Sequence, residues 1–329
     1  MKTVIVTGAA GFLGSHLSKH HLDAGDWVLG VDDFSSSEPN SAHLNELKAY
    51  ETFQFVDASV CDDYKTWMPE LKRSIDLVYN FACPASPPIY QAMPVHTMMT
   101  CVVGTGNMLE LASLHGAILV HASTSEVYGD PAFTPQPESY RGCVNSYGPR
   151  SCYDEGKRSA EALCYDFKNA HGVDARLVRI FNTYGPNMDP HDGRVVSNFI
   201  CQALRGEKMT VYGEGEQGRS FCYVDDLIRG IVALGALDAN PCTPINLGNP
   251  HEITVMQLAR RVIGQVYGGN EFSLRAETMV DHKPFPVDDP LQRCPDITLA
   301  RRLLDWEPRV SLDEGLAKAV EYFRGVIKR

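Results

Sequence analysis

Tyr153 and Lys157 stand four residues apart at the start of a predicted helix, so both side chains fall on one face. No other tyrosine in the chain has lysine at that spacing. A free phenol titrates near ~10, and an adjacent ammonium favours its ionised form. The pair therefore predicts a general base that takes the proton from an alcohol while hydride leaves the same carbon. Upstream, Ser123-Thr124-Ser125-Glu126 closes a predicted strand, with hydroxyls placed to hold that alcohol oxygen beside Tyr153.

Hydride needs an acceptor, and the N-terminus predicts one. Thr7-Gly8-Ala9-Ala10-Gly11-Phe12-Leu13-Gly14 follows an apolar strand and opens a helix. Glycines there allow a tight turn and let backbone approach a pyrophosphate resting on the helix N-terminus. The acidic residue expected ~20 positions beyond is present in Asp32-Asp33. Asp32 is placed to accept hydrogen bonds from a ribose and to repel a 2′-phosphate. No cation follows it in Phe34-Ser35-Ser36-Ser37, which favours NAD over NADP. Asp57-Ala58, at the end of the third strand, is placed to meet the adenine.

The elements that must position these groups read as alternating strands and helices. Strands are predicted at Thr3–Thr7, Trp27–Val31, Phe53–Val56, Leu77–Phe81, Ile118–Ala122 and Ala175–Ile180, with helical stretches at Gly11–Asp23, Thr97–Leu114 and Tyr153–Ala170. That order predicts an α/β fold: a Rossmann-type doubly wound parallel sheet with a smaller C-terminal substrate-binding domain. The expected division is 1–182 for the cofactor and 183–329 for the substrate, with segments around 220–248 returning to the first part. Long loops rich in proline and glycine, such as 184–194, 212–219 and 281–295, belong to the second part. Thr97–Leu114 is apolar around much of its circumference, which predicts burial against the sheet and against a second subunit, a homodimer.

Composition narrows the partners. With 329 residues, 44% hydrophobic and 22% charged, the chain is an ordinary globular protein, and a net charge of −11 argues against nucleic acid or an anionic membrane surface. Its ten cysteines contain no CxxC and its histidines no HExxH, so no metal is expected. The chain opens directly on a strand and shows no ~20-residue apolar span, so a cytoplasmic protein without membrane contact is expected.

Gly8-x-x-Gly11-x-x-Gly14, Tyr153-x-x-x-Lys157 and an upstream Ser/Thr together resemble the extended short-chain dehydrogenase/reductases acting on nucleotide sugars. Pro84-Ala85-Ser86-Pro87-Pro88, the 123–129 string, Ser151–Arg158 and Gly193–Phe199 are similar to the UDP-glucuronate decarboxylases among them. The resemblance implies that Thr124, Glu126, Tyr153, Lys157 and Arg293 are catalytic. It implies that Gly8, Gly11, Phe12, Leu13, Asp32, Asp33, Phe34, Asp57, Ala58, Phe81, Ala82 and Thr100 hold NAD with Tyr153 and Lys157. It assigns the nucleotide sugar to Pro84, Ala85, Ser86, Ser125, Asn182, Arg194, Asn198, Tyr212, Arg219 and Arg293, the last meeting a sugar carboxylate. Two positions depart from the pattern: Cys101 replaces the usual asparagine, and Arg293-Cys294-Pro295 replaces Arg-Lys-Pro. A 4-epimerase, a 4,6-dehydratase and a non-catalytic NAD-binding protein are the alternatives.

Overall fold

In the first strand, Val4 and Val6 pack into one apolar cluster and Ile5 into another. A strand covered on both faces requires this, and it explains why its five residues are all buried. The protein was analysed as a computed structural model in which residues 1–69, 74–268 and 278–327 are described.

Strands β1 (Thr3–Thr7), β2 (Trp27–Asp32), β3 (Phe53–Asp57), β4 (Leu77–Asn80), β5 (Ile118–Thr124), β6 (Ala175–Ile180) and β7 (Ile245–Leu247) form one sheet. Its order is β7-β6-β5-β4-β1-β2-β3, and every neighbouring pair is parallel. All six predicted strands are present within two residues at each end, and the doubly wound sheet is as expected. The seventh strand comes from late in the chain.

The helices follow the predicted alternation. Helix α1 (Phe12–Asp23) starts one residue after the predicted Gly11, which is its N-cap. The predicted Thr97–Leu114 stretch is made of α2 (Pro94–Met99), a π-helical stretch Thr100–Gly104, and α3 (Thr105–His115). Its apolar residues are not all covered within one chain: Met99 and Val103 are exposed. Helix α4 (Ser151–His171) carries Tyr153 and Lys157, both buried. Helix α5 (Val224–Ala236) leads into β7 after packing on β5 and β6. Among the described residues, no helix is long and apolar enough to cross a membrane.

The strand order reverses between β1 and β4, and ligands of such sheets bind in the crevice outside the carboxyl ends at that point. Thr7 ties the two strand ends together. Its Oγ1 accepts from the N–H of Phe81 (3.0 Å) and Ala82 (3.1 Å). Gly8 follows with φ +72°, and a Cβ there would lie 2.9 Å from the Phe81 carbonyl oxygen. A Cβ on Gly14 would lie 2.0 Å from the Gly8 carbonyl oxygen. Only glycines let this turn close and α1 start beside it.

Short strands overhang the same edge. Gly218–Ser220 lies between Glu252–Thr254, antiparallel, and Gln292–Arg293, parallel. The register sets Arg293 directly beside Arg219, joining two arginines far apart in sequence.

Candidate active site

A cleft of about 940 Å³ runs along the carboxyl edge of the sheet. Gly8, Gly11, Phe12, Leu13, Asp32, Asp33, Ala58, Phe81, Ala82 and Thr100 line one end of it. Asp32 is buried and fully engaged. Its Oδ2 accepts from the Ala10 N–H (3.0 Å), and its Oδ1 accepts from the Phe34 N–H (2.9 Å) and the Ser37 hydroxyl (2.8 Å). Burial raises its pKa despite these donors. Two predicted cofactor residues lie outside the cleft wall. The Phe34 ring packs on Phe55, with centroids 5.4 Å apart, and Asp57 is exposed at the end of β3, in register with Asp32.

Thr124, Ser125, Glu126, Tyr153 and Lys157 line the same cleft. Lys157 Nζ donates to the Ala122 carbonyl (2.8 Å) and lies 5.9 Å from the Tyr153 ring centroid. The expected lowering of the Tyr153 pKa is reversed here: burial pushes the phenol well above 10. The hydrogen bond with Thr124 pulls the other way and is outweighed, and the ammonium is committed to a carbonyl. Ser123, also expected to offer a hydroxyl, donates to Glu161 Oε1 (2.5 Å) instead.

The residues expected for the nucleotide sugar line the same cleft: Pro84, Ala85, Ser86, Asn182, Arg194, Asn198, Tyr212, Arg219 and Arg293. Asn198 Nδ2 donates to the Gly193 carbonyl (3.0 Å), and Tyr212 is exposed at the rim. The three arginines already have carboxylate partners. Arg194 Nε donates to Asp192 Oδ2 at 2.5 Å, and Arg219 Nη2 to Asp289 Oδ2 at 2.9 Å. Arg293 pairs with Glu126 and donates to Ser125 Oγ (3.2 Å) and the Gly129 carbonyl (3.2 Å).

Sequence reasoning missed four residues. Arg150, buried one turn ahead of Tyr153, donates to Glu126 Oε2 (2.6 Å) and Asp289 Oδ1 (3.0 Å). Tyr90 stacks on Tyr153, and Asp192 and Asp289 hold arginines. The available signals were a cation at i−3 from the base and carboxylates inside the long loops. The local electrostatics are sharply divided. Burial pushes Glu126 up, but Arg293 and Arg150 outweigh it and bring it to about 2. Burial and the adjacent Glu126 charge raise Asp154 to about 7.

The family described as GDP-mannose 4,6 dehydratase matches residues 5–319. UDP-glucuronic acid decarboxylase 1 of Xenopus tropicalis is 47% identical over 323 residues, covering 98% of this chain and 72% of that protein. The chain belongs to the UDP-glucuronic acid decarboxylase family. Solved structures extend the likeness beyond that family. A dTDP-glucose 4,6-dehydratase from Streptomyces venezuelae, with NAD and TYD bound, superposes with a TM-score of 0.87 at 25% identity, covering 99% of this chain and 97% of that one. A UDP-glucuronic acid 4-epimerase from Bacillus cereus, in complex with UDP-glucuronic acid and NAD, gives 0.82 at 26%, covering 99% and 100%.

Proposed function

We propose that the protein converts UDP-glucuronate to UDP-xylose by NAD-dependent decarboxylation. The observation that carries this reading is the placement of Arg293, against Ser125 and Glu126, in the same cleft as Tyr153 and Lys157. A base for a sugar hydroxyl and a two-point cation for a sugar carboxylate then face one ring.

The residues fit NAD: Gly8 and Gly14 leave no room for a Cβ, so backbone would approach the pyrophosphate closely, and Asp32, held by the Ala10 and Phe34 N–H groups, would meet the ribose. Gly8, Gly11, Phe12, Leu13, Asp32, Asp33, Ala58, Phe81, Ala82 and Thr100 would hold it. When bound, NAD would accept hydride from C4 and later return it. Tyr153 would take the C4 hydroxyl proton, Thr124 would orient that oxygen and favour the ionised phenol, and Lys157 would stand beside the Tyr153 ring. Oxidised at C4, the uronate is a β-keto acid, so CO2 departs leaving an enolate rather than an isolated carbanion. Arg293 would hold the departing carboxylate, and Glu126 would lie beside the ring for protonation at C5. Arg194 and Arg219 would hold the diphosphate, with Asn182, Asn198 and Tyr212 completing the nucleotide site.

In this reading 1–182 form the cofactor part and 183–329 the nucleotide-sugar part, with α5 and β7 returning to the main sheet. The protein would work as a cytoplasmic homodimer. Val95, Met99 and Val103, exposed at i,i+4 spacing, supply the apolar stripe for a partner helix. Light scattering on the purified chain tests the dimer.

Incubation with UDP-glucuronate, reading CO2 and the sugar product, tests the function. CO2 with UDP-xylose supports it. UDP-galacturonate without CO2 would make the protein a 4-epimerase.

A further inference from the structure

Five charged side chains alternate in sign along the cleft: Arg293, Glu126, Arg150, Asp289 and Arg219. The two carboxylates are each split between partners. Glu126 gives Oε1 to Arg293 and Oε2 to Arg150, while Asp289 gives Oδ2 to Arg219 and Oδ1 to Arg150. Arg150 is thus the shared partner of both acids, and each acid also occupies an arginine that the functional reading assigns to substrate. All three arginines are buried and line the cleft, but only Arg150 holds both acids, so Arg293 or Arg219 can exchange its single acid for an incoming anion while Arg150 keeps the other oxygen of each.

A substrate that brings a carboxylate to Arg293 and a diphosphate to Arg219 must displace one oxygen of Glu126 and one of Asp289. Two half-buried carboxylates without cations would then oppose binding. Arg150 remains in contact with the other oxygen of each. Its planar fork spans both acids at once, which a lysine ammonium on a flexible stem does less well. The nearby Asp154 cannot substitute, being an acid itself, 3.9 Å from Arg150 Nε.

We propose that Arg150 is a positioning residue that retains Glu126 and Asp289 while the substrate's anions take over Arg293 and Arg219. This rests on the assignment of Arg219 to the diphosphate and Arg293 to the sugar carboxylate. Arg150 thereby acts on binding through two carboxylates.

The test is a double-mutant cycle on the full-length, NAD-loaded protein, reading UDP affinity by calorimetry for wild type, Arg150→Met, Asp289→Asn and the double variant. Arg150→Met should weaken UDP about 10-fold, a coupling of ordinary size for contacting charges. With Asp289 already neutral, Arg219 has no carboxylate to surrender, so the same substitution should cost less than about threefold. A purely structural Arg150 would cost the same in both backgrounds, and that result would overturn the proposal, as would unchanged UDP affinity in Arg150→Met. If Arg150→Met does not fold, Arg150→Lys is measured in the same cycle. A smaller loss that Asp289→Asn again relieves supports the proposal, and equal losses reject it. UDP lacks the sugar, so failure of the decarboxylation assay would overturn the proposed reaction and leave this cycle readable.

Discussion

The ring of Tyr90 lies flat on the ring of Tyr153, with centroids 5.0 Å apart and 4° between their planes. The Pro87–Ala92 helix therefore braces, from the side, the phenol expected to move the proton. Tyr90 is 1% exposed, and its hydroxyl has no hydrogen-bond partner.

Tyr90→Phe should therefore match or exceed wild-type stability, because an unsatisfied buried hydroxyl is removed and the stack is kept. Tyr90→Ala should cost about 3–5 kcal/mol and lower turnover, because the Tyr153 ring loses its support. Thermal melts together with initial rates check both. A stable Tyr90→Ala with normal turnover would show that the stack is incidental.

Tyr153→Phe removes only the titrating oxygen from the same stack. Turnover should fall by ~10²–10⁴, with NAD binding and melting temperature nearly unchanged. The measured rate of C4 oxidation, followed as NADH absorbance in a single turnover, reports on this step directly. Near-normal oxidation would place the base elsewhere.

Asp154 offers a test by pH. Burial and the Glu126 charge raise its carboxyl from 3.8 to about 7, so the folded state holds this proton more tightly than the unfolded chain. Its contribution favours folding below pH ~4 and is lost as pH rises towards 7. Asp154→Asn cannot ionise, so it should melt higher than wild type at pH 8 and level with it near pH 3.5. Glu126 has the opposite sign. Held down to about 2, it stabilises the fold above pH ~4.5 and ceases to as pH falls through 2. Equal melting temperatures for wild type and Asp154→Asn at pH 8 would refute the assignment.

How far the sequence went depends on the range of each interaction. The glycine turn and the Tyr153–Lys157 face were legible because their causes are local: steric freedom at Gly8 and Gly14, and helical spacing at 153 and 157. The six strands were legible because each carries an apolar run cut off by turn residues. The Tyr153 pKa was misjudged because spacing reports neighbours along a helix and says nothing of burial depth. Arg150 and Asp289 were missed because their pairing is made by the 281–295 loop folding back across the cleft, and that loop has no periodicity. Phe34 was assigned to the cofactor by the family resemblance. The chain turns there with φ +55°, donates its N–H to Asp32, and packs the ring on Phe55 instead.

In the proposed reaction, Arg293 would separate a decarboxylase from a sugar dehydrogenase of the same fold. It is 2% exposed, pairs with Glu126, and is held by Ser125 and the Gly129 carbonyl, so its guanidinium is fixed before any ligand arrives. In that reaction, such an anchor would keep C4 against the base and align the breaking C–C bond with the developing enolate. A misplacement of ~1 Å can cost ~100-fold, so Arg293→Ala should lose at least that much CO2 release from UDP-glucuronate. Arg293→Lys restores charge without the fork and should remain well below wild type. UDP affinity should be nearly unchanged in both, because the diphosphate is assigned to Arg194 and Arg219. If UDP binding and CO2 release fall together, Arg293 serves the nucleotide or the fold. If neither falls, the carboxylate partner is another cation of the cleft, and Arg150, which shares Glu126, is the first to test.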